Sequence, residues 1–435
     1  MIISFKIKNF RSFKDEVLFS MEADASKLKS QNLTEIELSS TNNIRLLKVA
    51  MAFGSNASGK TNLIRAFWTL INYIARKPKV NDRIWMYEPF LFDKESSKSN
   101  SEFEVVFIGP QNVKYIYQVV FNQKQIEFET LNYYPSGKIT NLFTRSSKND
   151  TDSNIHVGIL GPSLSKKDKE INVFNNQLLL SKFGDDEPLE ELTNVFLYFK
   201  KYEIINATNT KQRLDIERQV SAEVFNDISL MNKLNSLIRF ADTKLKGFQV
   251  HNIKDEKISA NIQNSLKEKL VANPYIVFGQ HPIFNNSVDT GELHSLSFAD
   301  ESTGTQVLYA IGGKILMTLQ NGGILIVDEL DTSLHPFLTR MIILMFQSKS
   351  LNPKNAQLIF TSHDMTLLDR DLIRRDQVWI AEKNETGTSD MFSLQDFDGV
   401  REETPFDKWY LAGKFGGLPS IKSIDSMFDN ESSSK

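Results

Sequence analysis

The chain has 435 residues, of which 40% are hydrophobic and 24% charged, with a formal net charge of −3 and no cysteine. These values are typical of a globular protein with room for two folding units, and they show no basic surplus that would indicate nucleic-acid binding. The missing cysteines exclude disulfides, thiol catalysis and cysteine-ligated metal sites. Because the N-terminus is charged and no apolar stretch reaches about 18 uncharged residues, we expect a cytoplasmic protein without signal peptide or membrane span.

The first part of the chain, residues 1–150, has the apolar patterns of a lobe rich in strands. Residues 61–77 interrupt the strands with apolar side chains at helical spacing. The predicted strands lie near 2–8, 16–22, 44–53, 102–109, 113–121 and 125–131. A strand and a helix therefore flank the loop that begins at residue 54.

That loop has the pattern G-x-x-x-x-G-K-[ST] over residues 54–61. Glycines let backbone N–H groups turn inward around phosphate oxygens, and a helix N-terminus adds a dipole that favours anions. We expect Lys60 to reach the β- and γ-phosphates of a nucleotide and Thr61 to bind Mg²⁺ through its hydroxyl. The predicted nucleotide-binding residues are Gly54, Ser55, Asn56, Ala57, Ser58, Gly59, Lys60 and Thr61.

Residues 151–285 alternate helical patterns with polar breaks, and we predict a mostly helical insertion. The insertion lacks the sustained heptads of a long coiled-coil arm. Its lysine-rich pieces, such as Lys244-Leu245-Lys246, are typical of solvated helix faces, although contact with nucleic acid stays open.

Residues 286–428 return to buried-strand patterns, and residues 429–435 are predicted to be a disordered tail. The apolar run 324–327 ends in Asp328 and Glu329, and open α/β sheets place their ligands at this end of a strand. We expect Asp328 to hold Mg²⁺ through water and Glu329 to be the general base for an attacking water. The alternative interpretation is a strand that runs into an acidic turn.

Two further segments of this part have polar residues at element boundaries. Residues 302–306, Ser-Thr-Gly-Thr-Gln, open a helix with an apolar face, for which Ser302 or Thr303 would be an ordinary N-cap. Residues 357–361 form another buried-strand pattern, which His363 closely follows. On its own, a histidine in that place is usually a surface or capping residue.

More than half of the chain separates Lys60 from Asp328, whereas compact AAA+ ATPases and small GTPases place the two motifs close together. A long insertion between the halves of one nucleotide site resembles the SMC/RecF-like ABC ATPases. Within them the chain is similar to the OLD and abortive-infection group, above all to the RloA and AbiL types that are paired with a small nuclease-like protein. The segments that carry the likeness are 3–13, 54–62, 302–306, 327–336, 361–364 and 410–419.

The resemblance implies an α/β, ABC-type P-loop ATPase head that uses ATP and Mg²⁺. It implies that Ser302, Gly304 and Gln306 form a signature motif facing a γ-phosphate, and that His363 is the switch histidine near that phosphate or the attacking water. Two heads would close on ATP, giving a homodimer or a higher even oligomer. The expected partner is a separately encoded, nuclease-like effector, in a role in bacterial phage defence, with no membrane partner.

Some features leave other readings open. ABC proteins carry a Q-loop glutamine, and residues 87–93, the expected equivalent, contain none. The signature is also bulkier than Ser-Gly-Gly-Gln. Asp396 and Asp398 form a D-x-D string, but too little chain follows them for a nuclease domain, so we interpret them as loop acids. The alternative function is a RecF-like repair ATPase acting on DNA, which would need a basic groove interleaved with aromatic residues.

Overall fold

The computed structural model describes residues 1–39, 42–147, 154–167, 169–241, 244–252, 274–332 and 334–418. The predicted tail 429–435 and residues 253–273 of the predicted insertion lie outside these ranges. The described residues form two large β-sheets and two small ones, with helices packed against them, which confirms the predicted α/β class. Among the described helices, none combines the length and apolarity needed to cross a membrane.

The elements are numbered in chain order. The strands are β1 (Ile2–Lys8), β2 (Val17–Ser20), β3 (Leu33–Ser39), β4 (Asn42–Leu47), β5 (Val49–Phe53), β6 (Ser101–Ile108), β7 (Lys114–Phe121), β8 (Ile126–Tyr133), β9 (Thr140–Ser146), β10 (Ile155–Leu160), β11 (Lys169–Phe174), β12 (Tyr202–Asn206), β13 (Gly247–Asn252), β14 (Tyr275–Asn285), β15 (Val288–Ser297), β16 (Ile324–Asp328), β17 (Gln357–Thr361), β18 (Val378–Lys383) and β19 (Ser389–Ser393). The main helices are α1 (Lys60–Ile74), α2 (Glu190–Phe199), α3 (Thr210–Asn226), α4 (Ile228–Phe240), α5 (Thr303–Asn321), α6 (Pro336–Gln347) and α7 (Phe406–Leu411).

A six-stranded sheet in the order β12-β16-β17-β5-β18-β19 carries the loop 54–59 and the segments that contain Asp328, Glu329 and His363. Its neighbouring strands are parallel, except that β19 is antiparallel to β18. Strands β5, β16 and β17 are buried at every residue, as expected for parallel strands covered on both faces. Because parallel strands point the same way, the residues after β5, β12, β16 and β17 meet along one edge.

An eight-stranded antiparallel sheet in the order β11-β10-β9-β8-β7-β6-β1-β2 packs over one face of this sheet. Helix α1 joins the core between the two sheets, where the Phe5 and Phe67 ring centroids lie 4.2 Å apart. The other face of the six-stranded sheet packs against α5 and α6, and α3 and α4 pack on α5 in the same core. Alternate residues of β5 divide between the two cores, with Ala50 in the first and Met51 in the second.

The predicted strand 44–53 is two strands, β4 and β5, which belong to different sheets. The chain changes sheet at Lys48, which is buried, and its Nζ donates to the carbonyl oxygens of Gln31 and Gln347 at 3.0 and 3.2 Å. A buried lysine in an apolar run therefore marks the point where the chain changes sheet, and backbone carbonyls satisfy its ammonium group.

The segment 151–285 contains more strand than the sequence indicated. Strands β10 and β11 complete the eight-stranded sheet, and β12 is the edge strand of the six-stranded sheet beside β16. Helix α2 packs into the core between the two large sheets. Of the described insertion, α3 and α4 with β13 and β14 form a separate layer, in which β13, β14 and β15 make a three-stranded sheet.

Candidate functional site

Residues 54–59 connect β5 to α1 and turn sharply at both ends. Gly54 and Gly59 have φ angles of +148° and +119°, which side chains rarely adopt. A Cβ at Gly54 would clash with the carbonyl oxygen of Ala381, and one at Gly59 would lie 2.7 Å from the Ser389 Oγ. The glycines of the motif are therefore required by the close approach of β18 and β19 as well as by the turn.

Lys60 begins α1 and is only 5% exposed. Its Nζ donates to the carbonyl oxygens of Gly54 and Ser55, at 2.7 and 2.9 Å. Burial lowers the pKa of Lys60, while the carboxylates of Asp328 and Glu329 raise it less. The ammonium is thus held by neutral oxygens, in a place where an anion would stabilise its charge.

Phosphate groups fit this loop for three reasons. The loop leads into the N-terminus of the 15-residue helix α1, where free N–H groups and the dipole favour anions. The buried ammonium of Lys60 accompanies them. The hydroxyl of Ser58 is also buried, and it has no hydrogen-bond partner among the described residues.

Asp328 ends β16 and lies at the meeting point of three other segments. Its Oδ1 accepts hydrogen bonds from the Thr361 hydroxyl at 2.7 Å and the Thr61 hydroxyl at 3.3 Å. Its Oδ2 accepts from the Asn206 amide at 3.3 Å. The side chain is buried, and this burial raises the pKa of Asp328 despite the two hydroxyl hydrogen bonds. A cation beside Asp328 would therefore be favoured, because it would stabilise the carboxylate.

The structure brings together Thr61 and Asp328, the two residues predicted to hold Mg²⁺. Within the described part of the chain, no three histidine or acidic side chains gather into a metal cluster. Mg²⁺ commonly keeps several waters and uses one or two protein ligands together with substrate phosphates. One hydroxyl and one carboxylate beside a phosphate-binding loop fit that donor set.

Glu329 has a left-handed backbone, with φ of +56°. Its N–H donates to the Thr361 hydroxyl at 2.7 Å, and its Oε2 accepts from the Thr332 hydroxyl at 3.3 Å. Non-glycine residues in this region carry a strain of about 1–3 kcal/mol, and such strain gathers at functional sites. The Thr361 hydroxyl connects the backbone of Glu329 to the carboxylate of Asp328.

His363 lies in the loop after β17 and is exposed. Its backbone N–H donates to the Asp331 carboxylate at 3.2 Å, so the loops after β16 and β17 are tied together. His363 therefore lies at the same sheet edge as Asp328, with its ring open to solvent.

The residues of the predicted signature make local contacts at the start of α5. Ser302 is the N-cap, and its Oγ accepts from the Thr305 N–H at 3.2 Å. The Gln306 amide donates to the carbonyl oxygens of Phe298 and Glu301, both at 3.1 Å. Gly304 lies in the first turn of the helix. The capping interpretation is confirmed for Ser302, and the role toward a phosphate stays a prediction.

Sequence reasoning missed Asn206, which ends β12 directly beside Asp328 in the parallel ladder. A cavity of about 340 Å³ opens here, and Thr61, Arg65, Asn206, Gln212 and Asp328 are among the residues that line it. A short run, Ile204-Ile205, followed by polar residues was the available signal. Residues 87–93, the expected equivalent of the Q-loop, lie beside Arg11, whose guanidinium donates to Glu88 at 2.8 Å, and Glu88 is also 3.5 Å from the guanidinium of Arg65 in the cavity lining.

Solved structures similar to this chain include two SMC head domains and a recombination mediator protein. The SMC head domain from Thermotoga maritima is 13% identical, with a TM-score of 0.41 over 90% of this chain and 98% of that one. An Smc head domain with an extended coiled coil, bound to the C-terminal domain of ScpA and derived from Pyrococcus furiosus, is 10% identical, with a TM-score of 0.42 over 91% and 97%. The recombination mediator protein RecF with ATP is 13% identical, with a TM-score of 0.35 over 90% and 97%. These values are too low to support a conclusion about activity.

No curated protein sequence matches the chain. The protein family described as "AAA domain, putative AbiEii toxin, Type IV TA system" matches residues 53–369. This range is well over half of the chain, and it contains the phosphate loop, Asp328, Glu329 and His363. The chain therefore belongs to this AAA-domain family of P-loop ATPases.

Proposed function

We propose that the protein is an ATPase that binds ATP with the loop after β5 and hydrolyses it with Glu329. The observation that carries the proposal is the hydrogen-bonded set Thr61, Asp328 and Thr361, which joins motifs separated by more than half of the chain. Lys60 lies close enough for Asp328 to influence its pKa. A phosphate-binding loop, a metal-binding pair and a candidate base thus share one site.

Each group would have a separate task. The loop amides and Lys60 would bind the β- and γ-phosphates, and Thr61 and Asp328 would hold Mg²⁺, which supplies charge neutralisation for them. Glu329 would accept a proton from the attacking water as the new O–P bond forms and the bond to the leaving ADP oxygen breaks. His363 would contact the γ-phosphate or that water.

The replacement Lys60→Ala tests the binding step. It removes a cation from a site that would hold several phosphate charges, where charge-assisted hydrogen bonds are strong. We expect ATP affinity to fall at least about tenfold, or ~1.4 kcal/mol, by calorimetry. An unchanged affinity would contradict the assignment of the loop.

Lys48 supplies a matched control for this experiment. Like Lys60, it is a buried lysine whose Nζ donates to two backbone carbonyl oxygens, and it lies at the other end of β5 from the phosphate loop. We expect Lys48→Ala to lower the unfolding temperature while leaving ATP affinity unchanged. A similar loss of affinity in both variants would mean that the effect comes from stability alone.

We further propose that two chains close around ATP, giving a homodimer or a higher even oligomer. The signature residues Ser302, Gly304 and Gln306 of one chain would complete the site of the other. In support, Ser302 is exposed at the N-terminus of the 19-residue helix α5, where a phosphate would be favoured. An isologous interface of this kind would place two equivalent sites across one two-fold axis.

Mixing two inactive chains tests the composite site. A Lys60→Ala chain would still offer its signature, and a Ser302→Arg chain would still offer its phosphate loop. We expect each variant alone to be inactive and the mixture to recover part of the hydrolysis, because one complete site forms per mixed dimer. Full activity and ATP-driven association of Ser302→Arg alone would show that residues 302–306 only begin a helix.

We propose that the closed dimer regulates a separately encoded effector, plausibly a nuclease used against phage. The support is the resemblance to paired ATPases, while the family description, which reads "putative AbiEii toxin, Type IV TA system", points only to a toxin–antitoxin context. The layer formed by α3, α4, β13 and β14 lies between the two motif halves in sequence and is a suitable surface for the effector. ATP can shift such an equilibrium only by its differential affinity for the two states.

Co-purification with the product of a neighbouring gene tests this regulation. We expect capture of the effector to differ between ATP and ADP, and to be trapped in the ATP-like state by Glu329→Gln. Equal capture with all nucleotides would mean that ATP does not control the partner. If no protein is captured and DNA binds tightly in a salt-sensitive way, the DNA-acting alternative is favoured.

A further inference from the structure

The C-terminal segment of the described chain packs against the phosphate loop. Gly416 and Gly417 form a turn in which both residues have a left-handed backbone, with φ of +68° and +69°. The family match ends at residue 369, so this turn lies outside the matched part of the chain. A second element beyond that range, Ser389 of β19, meets the other end of the loop at Gly59.

Gly417 and Gly54 meet across the backbone of β18. A Cβ built on Gly417 would lie 2.7 Å from Ile380 Cγ2, 3.3 Å from the Ala381 carbonyl oxygen and 3.4 Å from the Gly54 Cα. A Cβ on Gly54 would itself clash with the same Ala381 oxygen. The loop, β18 and the turn therefore approach one another at the Ala381 carbonyl and the Gly54 Cα, with the Ile380 side chain beside them, and side chains at 54 and 417 are excluded.

The turn is anchored rather than loosely placed. The buried Tyr410 of α7 donates its hydroxyl to the Gly417 carbonyl oxygen at 3.2 Å, and its ring lies 6.3 Å from that of Phe53, the residue before the phosphate loop. Phe415 is also buried, with its ring 5.3 Å from that of Phe397. Tyr410 therefore fixes Gly417 relative to the start of the loop.

We propose that Gly417 is a positioning residue for the phosphate loop, and that the C-terminal turn is part of the nucleotide site. The inference rests on the proposed ATP binding. A methyl group at position 417 has no room toward Ile380, which is fully buried, so the displacement passes to Ala381 and Gly54. The carbonyl of Gly54 holds the Lys60 ammonium, so the lysine would move with it.

The test compares Gly417→Ala with Gly413→Ala. Gly413 is in the same segment with φ of +73°, but the nearest atom to its Cβ would be Leu418 Cδ1, at 4.0 Å. Both changes add a methyl in a left-handed conformation, whereas only the first reaches the loop. We expect the dissociation constant of ATP to rise about tenfold for Gly417→Ala and to stay within about twofold for Gly413→Ala.

Turnover separates positioning from general damage. Strand β17 separates β16, which Glu329 follows, from β5, which Gly54 follows, so Glu329 should be little disturbed. We therefore expect kcat at saturating ATP to fall less than about threefold in Gly417→Ala, while KM rises together with the dissociation constant. Equal ATP affinity in Gly417→Ala and Gly413→Ala would overturn the proposal. A fall of about tenfold in kcat of Gly417→Ala with an unchanged KM would also overturn it.

A milder variant covers the case in which Gly417→Ala does not fold. Tyr410→Phe removes only the hydroxyl that holds the Gly417 carbonyl, and we expect ATP affinity to fall about two- to fivefold. Unchanged affinity in that variant would overturn the proposal in the same way. Failure of the wild-type chain to bind ATP would instead reject the proposed function itself, so the two failures are distinguishable.

Discussion

In the six-stranded sheet, the buried charges of Lys60 and Asp328 lie where parallel strands end, whereas in the eight-stranded sheet Glu129 and Arg145 oppose each other within antiparallel strands. All four side chains are almost inaccessible to solvent. At the strand ends, the charged groups leave space for a ligand between loops. Within the antiparallel ladder, the protein itself supplies the partners, so the same residue types become part of the fold.

The antiparallel pair is held by the chain segment that follows β11. Glu129 accepts hydrogen bonds from the N–H groups of Leu179 and Leu180 and from the Tyr117 hydroxyl. Arg145 donates to carbonyl oxygens of residues 174, 175 and 177. Burial raises the pKa of Glu129 and lowers the pKa of Arg145 to about 10. These contacts fasten residues 174–180 to the sheet.

The largest effect on stability is expected for Arg145→Ala. It leaves the buried Glu129 without its opposing charge and the buried Gln177 carbonyl oxygen without its guanidinium donor, so we expect a loss of about 3–5 kcal/mol in urea unfolding. ATP affinity of the folded fraction should stay within about twofold of wild type. The exposed ion pair of Arg218 with Asp215 gives the control, since Arg218→Ala should change stability by less than about 1 kcal/mol. Weakened ATP binding in Arg145→Ala would contradict the view that the buried charges of the eight-stranded sheet serve only the fold.

Glu329→Gln should have the opposite effect, because it should slow turnover without lowering stability. Its amide cannot accept a proton from water, so we expect kcat to fall about 10²-fold or more, or ~2.7 kcal/mol, with ATP affinity and unfolding free energy little changed. His363→Ala should slow turnover less, because an exposed ring supplies a contact and not the base. Steady-state hydrolysis assays with both variants decide this, and wild-type turnover in Glu329→Gln would place the base elsewhere.

Asn206→Ala should give the smallest effect at the site. It removes one amide hydrogen bond to Asp328, and we expect ATP affinity in the presence of Mg²⁺ to fall about fivefold, or ~1 kcal/mol. Asn132 in the eight-stranded sheet is a matched amide, because its Oδ1 accepts from Asn141 at 2.8 Å. Asn132→Ala should leave binding unchanged in the same calorimetric titration. Equal affinities in the two variants would remove Asn206 from the site.

The sequence predicted the site best where the chemistry is local. The phosphate loop is one contiguous pattern, and Asp328 and Glu329 come at the end of a fully buried strand, so both could be named as candidates from the sequence. Asn206 and Gly417 were missed because their roles depend on neighbours in space, Asp328 and Gly54, that are distant along the chain. Neither hydrophobic periodicity nor a sequence motif indicates that two residues distant along the chain are neighbours in space.

Strand β10 shows why part of the fold was missed as well. Its apolar residues Ile155, Val157 and Ile159 face outward, while His156 and Gly158 face inward. The inward glycine leaves room for Leu179, since a Cβ on Gly158 would lie 2.8 Å from Leu179 Cδ1. Tertiary packing therefore reversed the usual rule that the apolar face of a strand is the buried one.

The left-handed backbone at residue 329 places the stability of the fold and the proposed catalytic role of Glu329 in conflict. Glycine or asparagine adopts that conformation more easily than glutamate, so either replacement should make the protein harder to unfold while removing its candidate base. A library at this position that is selected for heat resistance alone should drift toward glycine or asparagine, and one selected for ATP turnover should return glutamate. The difference in melting temperature between the two winners would measure how much stability the protein gives up in order to act.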